Sequence, residues 1–67
     1  MKIREDLKDW QIARSMFGKN TQAECKIVKK LRKKSISLVE DCGAGVFLVS
    51  VEGEESGWVM FEDFVEL

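Results

Sequence analysis

The 67-residue sequence contains no histidine, the side chain that most often serves as a general base or as a metal ligand. Its only cysteines, Cys25 and Cys42, do not form a CxxC pair, which excludes a zinc ribbon and a thioredoxin-like redox site. None of the five serines has an evident base partner. We therefore expect a protein that is not an enzyme and that binds neither a cofactor nor a metal.

Long apolar stretches are also missing. The longest run, Val46–Val49, is far shorter than the roughly 20 residues that cross a bilayer. Residues 1–6 mix both signs of charge, whereas a secretory signal needs an uninterrupted apolar segment. These features predict a cytoplasmic protein in which Cys25 and Cys42 stay reduced and largely buried.

Lysine and arginine are absent from residues 35–67, which carry eight acidic residues and a net charge of −8. Residues 1–34 hold all eleven basic residues and only four acidic ones, a net charge of +7. Two interpretations compete. The two parts attract each other at short range within the fold, or they form a bipolar surface that attracts polyanions on one side and basic partners on the other.

The first periodic segment predicts a helix over residues 4–17, ended by Gly18 in a left-handed conformation. Asp6 is the expected N-cap. The apolar residues that recur at helical spacing are Ile3, Leu7, Trp10 and Phe17. Residues 1–6 fit a short strand equally well.

A second helix is predicted over residues 22–34. Thr21 and Glu24 have the spacing of a capping box, in which each side chain bonds the other residue's backbone N–H. The expected buried face consists of Ala23, Ile27 and Leu31, with Val28 beside them.

The periodicity then changes to that of strands. Residues 35–39, 46–51 and 58–61 are predicted strands, separated by turns at 41–45 and 52–57. The predicted fold is a single α+β domain over residues 1–67, in which one or two N-terminal helices pack on a three-stranded antiparallel meander. The expected core is Leu7, Trp10, Phe17, Ile27, Leu31, Ile36, Leu38, Phe47, Val49 and Trp58.

The C-terminal segment 55–67 resembles the end of SH3-like barrels, where a glycine precedes an apolar strand, one helical turn follows, and an aromatic–Val–Glu–Leu strand closes the chain. The matching residues are Gly57, Trp58, Phe64, Val65 and Leu67. The resemblance implies an SH3-like small barrel. It does not extend to binding of proline-rich peptides, because the aromatic-rich first strand and all tyrosines are missing.

The opening residues 2–8, the middle helix and the ending around Gly57–Trp58 and Phe61–Asp63 also resemble short accessory proteins of bacterial viruses. That resemblance implies a protein that binds and modulates a host protein, as a regulator or an inhibitor.

Two surfaces are candidate sites. The acidic part with its aromatic residues is the candidate protein-binding surface: Trp58, Met60, Phe61, Glu54, Glu55, Glu62 and Asp63. The apolar strand 46–49 also favours a covered sheet face, and a second copy of the chain would make a homodimer. Solubility alone is the competing explanation for the acidic residues.

The alternative function is a nucleic-acid-binding module that uses the basic helix 22–34. Its candidate residues are Lys26, Lys29, Lys30, Arg32, Lys33 and Lys34. Four of these lysines share one helix face, while Arg32 points elsewhere. The competing interpretation is a solvated helix end whose cations complement the helix dipole.

Overall fold

Two helices and two antiparallel sheets make up the structure, a computed structural model that describes residues 1–67. In chain order the elements are β1 (Lys2–Ile3), α1 (Asp9–Phe17), α2 (Gln22–Arg32), β2 (Ile36–Gly43), β3 (Val46–Val51), β4 (Trp58–Phe61), a 3-10 turn (Glu62–Phe64) and β5 (Val65–Glu66). The prediction of two helices and a three-stranded antiparallel meander is confirmed.

The meander has the strand order β2–β3–β4, with β3 in the centre. Side chains alternate between the two faces of a strand, and the buried residues of β3 are Phe47, Val49 and Val51. These residues face the helices and share one core with Val28 and Leu31 of α2. We call this side the inner face of the sheet and the opposite side the outer face.

A second, two-stranded sheet was not predicted. β1 pairs antiparallel with β5, so that Lys2 lies opposite Glu66 and Ile3 opposite Val65. The Arg4 backbone N–H donates to the Phe64 carbonyl at 2.8 Å and extends this pairing. The first residues are therefore a strand, because the end of the chain offers them a pairing edge.

Helix α1 accordingly begins at Asp9 rather than at residue 4. Its N-cap is Lys8, whose backbone N–H donates to Oε1 of Gln11 at 2.8 Å. The predicted cap, Asp6, instead accepts two hydrogen bonds from the Arg4 guanidinium, at 2.6 and 3.0 Å. Gly18 ends the helix as predicted, at φ 70°.

Helix α2 ends at Arg32 instead of residue 34. The predicted capping box at its start is wrong in detail. The Thr21 hydroxyl donates to the Glu24 carboxylate, and no side chain bonds a backbone N–H at this N-terminus. Ala23 and Ile27 are exposed, and Val28 and Leu31 are the buried residues of α2.

The core therefore differs from the expected one. Trp10, Ile27 and Leu38 are exposed, and Leu7, Phe17 and Trp58 are only partly buried. The buried residues are Ile3, Ile12, Ala13, Val28, Leu31, Ile36, Phe47, Val49, Val51, Met60, Phe64 and Val65. The prediction that Trp10 lies on the buried face of α1 is wrong. It used Ile3 and Leu7 to define that face, and both residues precede the helix.

The hairpin between β2 and β3 is tighter than predicted. β2 continues to Gly43, which pairs with Val46, so only Ala44 and Gly45 lie in the turn. Both have positive φ, 54° and 77°, as a two-residue type I′ hairpin turn requires.

Both cysteines are free thiols, as expected, but Cys42 is exposed on β2 and Cys25 is partly buried. Neither helix combines the length and the apolar character that a bilayer-spanning helix requires.

Candidate binding surfaces

The outer face of the sheet carries four apolar side chains in two cross-strand pairs. Leu48 lies opposite Val59, and Val46 lies opposite Phe61. Val59 is 55% exposed and Phe61 is 37% exposed. We call Val46, Leu48, Val59 and Phe61 the apolar patch. Directly opposed cross-strand residues have Cβ atoms about 5 Å apart, so the four side chains form one continuous surface.

Two packing contacts define the edges of the apolar patch. The Phe61 ring meets the buried Phe64 ring edge to face, with centroids 6.3 Å apart, which fixes its position. Gly57 lies against Leu48 so closely that a Cβ at that position would be 3.1 Å from Leu48 Cδ1. The apolar patch is therefore flanked by Phe64 at one edge and by Gly57 at the other.

Carboxylates border the apolar patch. Glu40 lies on β2 directly opposite Leu48. The Glu62 side chain lies over Gly45, next to Val46, where a Cβ on Gly45 would be 3.3 Å from Glu62 Cγ. Neither carboxylate forms an ion pair. Strands β2, β3 and β4 and the turns between them carry no Lys or Arg, so their own charged side chains near the apolar patch are all acidic.

The three apolar residues predicted for protein binding, Trp58, Met60 and Phe61, lie in different environments in the structure. Met60 is completely buried, so it belongs to the core and cannot contact a partner. Trp58 is partly buried on the inner face and packs edge to face on Phe17 of α1, with ring centroids 6.5 Å apart. Phe61 is the member that lies on the outer face.

The four acidic residues predicted for protein binding also differ in whether they form an ion pair. Glu54 forms an ion pair with Lys34, in which Oε1 lies 3.3 Å from Nζ. Neither of these two side chains is therefore an unpaired charge on the surface. Glu55, Glu62 and Asp63 are exposed and form no ion pair. The Asp63 backbone carbonyl accepts a hydrogen bond from Arg4 at 3.0 Å, which leaves its carboxylate free.

Helix α2 presents the second candidate surface. Lys26, Lys29, Lys30 and Lys33 are all exposed, and none forms an ion pair. Their spacing of three, four and seven residues places them on one side of the helix, opposite the buried Val28. We call these four residues the lysine face.

Arg32 is not part of the lysine face. Its guanidinium points toward the start of α1, where Nε lies 2.8 Å from Asp9 Oδ1. The other two nitrogens donate to the carbonyls of Arg4 at 2.9 Å and Leu7 at 2.7 Å. All three guanidinium nitrogens of Arg32 thus donate hydrogen bonds to the segment that connects β1 to α1 or to the start of α1. Arg32 is therefore unavailable to a nucleic acid.

The two charged parts of the chain remain largely separate in the fold. Only two ion pairs join residues 1–34 to residues 35–67, Lys2 with Glu66 at 3.5 Å and Lys34 with Glu54 at 3.3 Å. The lysine face is not neutralised by the acidic part. Internal complementarity therefore accounts for few of the charges, and both polar surfaces are free.

Neither surface contains a concave site. One open pocket lies between the chain ends, lined by Met1, Lys2, Glu66 and Leu67. No three His, Cys, Asp or Glu side chains converge where they could hold a metal ion. No protein-family model, curated protein or solved structure matches this chain.

Sequence reasoning left Val59 and Glu40 out of the candidate sites, and it included Val46 and Leu48 only as part of the apolar strand 46–49 expected on a covered sheet face. A signal existed in β4, because alternation places Val59 and Phe61 on the face opposite Met60. Which of these two faces meets the helices could not be read from β4 alone, since both are apolar.

Proposed function

We propose that this chain is a non-enzymatic protein-binding module that acts as a regulator or inhibitor, and that the apolar patch is its docking surface. The observation that carries the proposal is a partly exposed apolar array on the outer face of the sheet with unpaired carboxylates at its border. Interfaces commonly combine an aromatic anchor with a polar rim, and Phe61 and Glu62 have these roles here.

The chemistry of the surface favours, as the partner, a protein segment with aliphatic or aromatic side chains flanked by Lys or Arg. A second copy docking face to face would bring Glu40, Glu62 and their equivalents together without a compensating cation. Like charges across an interface oppose association, whereas a basic partner gains in both affinity and association rate.

Two further considerations support this function. The resemblance to short accessory proteins of bacterial viruses favours a module that modulates a host protein. The free thiols of Cys25 and Cys42 suit action in the cytoplasm, where cysteines stay reduced.

The proposal of an SH3-like small barrel as the architecture is supported by the end of the chain. A 3-10 turn at Glu62–Phe64 follows β4, and β5 then closes on β1. Docking through the apolar patch does not depend on this assignment.

A peptide-display selection tests the proposal. A library of random linear peptides is first depleted on the bare support and then selected on the immobilised natural chain. We expect enriched peptides that place Lys or Arg beside aromatic or aliphatic residues, with amide shifts in β3 and β4 on NMR titration. Val59→Lys weakens their binding by at least about tenfold, or ~1.4 kcal/mol.

Ile27→Lys is the matched control, because it introduces the same charge at an exposed apolar residue on α2. It is expected to bind the selected peptides as the natural chain does. The proposal is wrong if the enriched peptides are acidic, or if they bind Val59→Lys equally well. Concentration-dependent dimers that Val59→Lys abolishes would assign the apolar patch to a second copy instead.

A further inference from the structure

We infer that the lysine face of α2 binds the phosphate backbone of double-stranded nucleic acid, independently of sequence. This second activity lies on a different layer of the molecule from the apolar patch and does not depend on it. The inference begins from the arrangement of Lys26, Lys29, Lys30 and Lys33, each exposed and without a carboxylate partner.

Complementing the helix dipole explains only part of this arrangement. The dipole favours cations at the C-terminal end of a helix, which here includes Lys29 and Lys30 in the last turn and Lys33 at the C-cap. Lys26 lies more than a turn before the end of α2, where that effect has faded. Like charges three and four residues apart repel each other, so the four lysines destabilise the isolated helix. A polyanion relieves that repulsion.

The dimensions of the lysine face suit a nucleic-acid strand. Lys26 and Lys33 are separated by about 10 Å along the helix axis at the usual rise of 1.5 Å per residue. A duplex strand carries one phosphate per about 3.4 Å of its axis, so this length covers about three phosphates. The lysine stems are flexible enough to reach successive phosphate oxygens as point charges.

The residue types indicate a duplex backbone rather than exposed bases. Helix α2 contains no aromatic side chain on which a base could stack. Arg32, the only arginine of α2 and so its only planar guanidinium, is held by Asp9. The lysine face thus offers point charges to phosphates rather than a planar fork to base edges, which is the chemistry of sequence-independent binding.

An anionic membrane is the other polyanionic surface to consider, and the structure disfavours it. Helices that lie on a membrane insert a wide apolar face beneath their cationic residues. The apolar face of α2 is used in the core through Val28 and Leu31. Ile27 and the small Ala23 are the apolar residues of α2 that remain exposed, which is too little to anchor a helix in lipid.

Fluorescence anisotropy with a labelled DNA duplex of mixed sequence tests the inference. Protein is titrated to about 1 mM, above the ~10⁻⁴–10⁻⁶ M typical of non-specific binding, at several KCl concentrations. With about three phosphate contacts, the plot of log Kobs against log [KCl] is expected to have a slope of about −3. Lys30→Gln should reduce the magnitude of the slope by about one.

Lys2→Gln is the control, since it removes one exposed positive charge that lies on β1 rather than on α2 and that pairs with Glu5 and Glu66. It should leave the slope unchanged. Replacing all four lysines of the lysine face by Gln should abolish binding while circular dichroism shows an intact fold. Val59→Lys should not weaken duplex binding, so the failure of this inference can be distinguished from failure of the docking proposal.

Three results would overturn the inference. They are no anisotropy change at the lowest salt, a slope that Lys2→Gln lowers as much as Lys30→Gln does, and binding to phosphatidylserine vesicles in place of the duplex. If the protein bound the single strand more tightly than the duplex, the duplex inference would be wrong and the ligand would be single-stranded nucleic acid.

Discussion

Arg32 at the end of α2 and Asp9 at the start of α1 form an ion pair with Nε 2.8 Å from Oδ1, and both side chains are largely shielded from water. This pair closes the helical hairpin at the end opposite its connecting loop. Through the carbonyls of Arg4 and Leu7, the same guanidinium also holds the segment that leads out of β1. One side chain thereby joins the small sheet to both helices.

The fold separates two surfaces of opposite character. The lysine face lies on the outer side of the helix layer, and the apolar patch lies on the outer face of the sheet. The core between them contains residues from both layers, including Leu31 and Val49. A partner on one surface does not obstruct the other, so both proposed activities are compatible in one molecule.

Replacing Arg32 by Met should lower the free energy of unfolding by about 2–3 kcal/mol, because it leaves Asp9 and two carbonyls without their donor. Urea denaturation followed by tryptophan fluorescence measures this change. Lys33→Met is the control, since Lys33 is exposed and unpaired, and it should change stability by less than about 0.5 kcal/mol. Equal effects of the two substitutions would show that Arg32 is not a structural residue.

Replacing Met60 by Ala should destabilise the fold by about 2–4 kcal/mol, because it opens a cavity in the core beneath β4. Val59→Ala, one residue earlier on the exposed face, should cost less than about 1 kcal/mol. Thermal unfolding of both variants checks the assignment of faces. If Val59→Ala were the more damaging change, the outer face would be the buried one.

Ala44 occupies a left-handed conformation at φ 54°, which is unfavourable for a residue with a Cβ. Ala44→Asn should stabilise the protein by about 0.5–1 kcal/mol, since Asn-Gly is the preferred pair for a type I′ turn. The same substitution at Ala23, an exposed position in α2, should destabilise it by about 0.5 kcal/mol because Ala is the better helix former. Opposite signs in chemical denaturation would confirm the conformation of the turn.

The hydrogen bonds from Arg4 and its positive charge lower the pKa of the Asp6 carboxyl below its usual range. A carboxyl with a depressed folded-state pKa contributes stability above its unfolded pKa, which is about 3.9, and loses that contribution as pH falls through the folded value. Carbon-detected NMR titration of the side-chain carboxyl measures this pKa. Arg4→Gln should raise it toward the reference, and an unchanged value would contradict the Arg4–Asp6 contact.

Features that depend on neighbouring residues could be predicted from the amino-acid sequence alone. Strand periodicity and turn residues predicted the meander, Gly18 marked the end of α1, and helical spacing placed four lysines on one face of α2. The separation of charge is a property of the chain order alone. The helix end, the lysine spacing and the strand periodicity follow from residues close together in the sequence, and the charge separation follows from counting, so no knowledge of distant contacts was needed.

Features that depend on contacts between distant parts of the chain could not be predicted in this way, because they result from packing. Residues 2 and 3 became a strand because β5 supplies their partner edge. Met60 became core and Val59 surface because the helices cover one face of a sheet whose strands are apolar on both. Arg32, a candidate nucleic-acid-binding residue in the sequence, is a structural residue in the fold because Asp9 on another helix accepts its hydrogen bond. Local sequence patterns describe which faces an element has, whereas packing against other elements determines which of those faces is exposed.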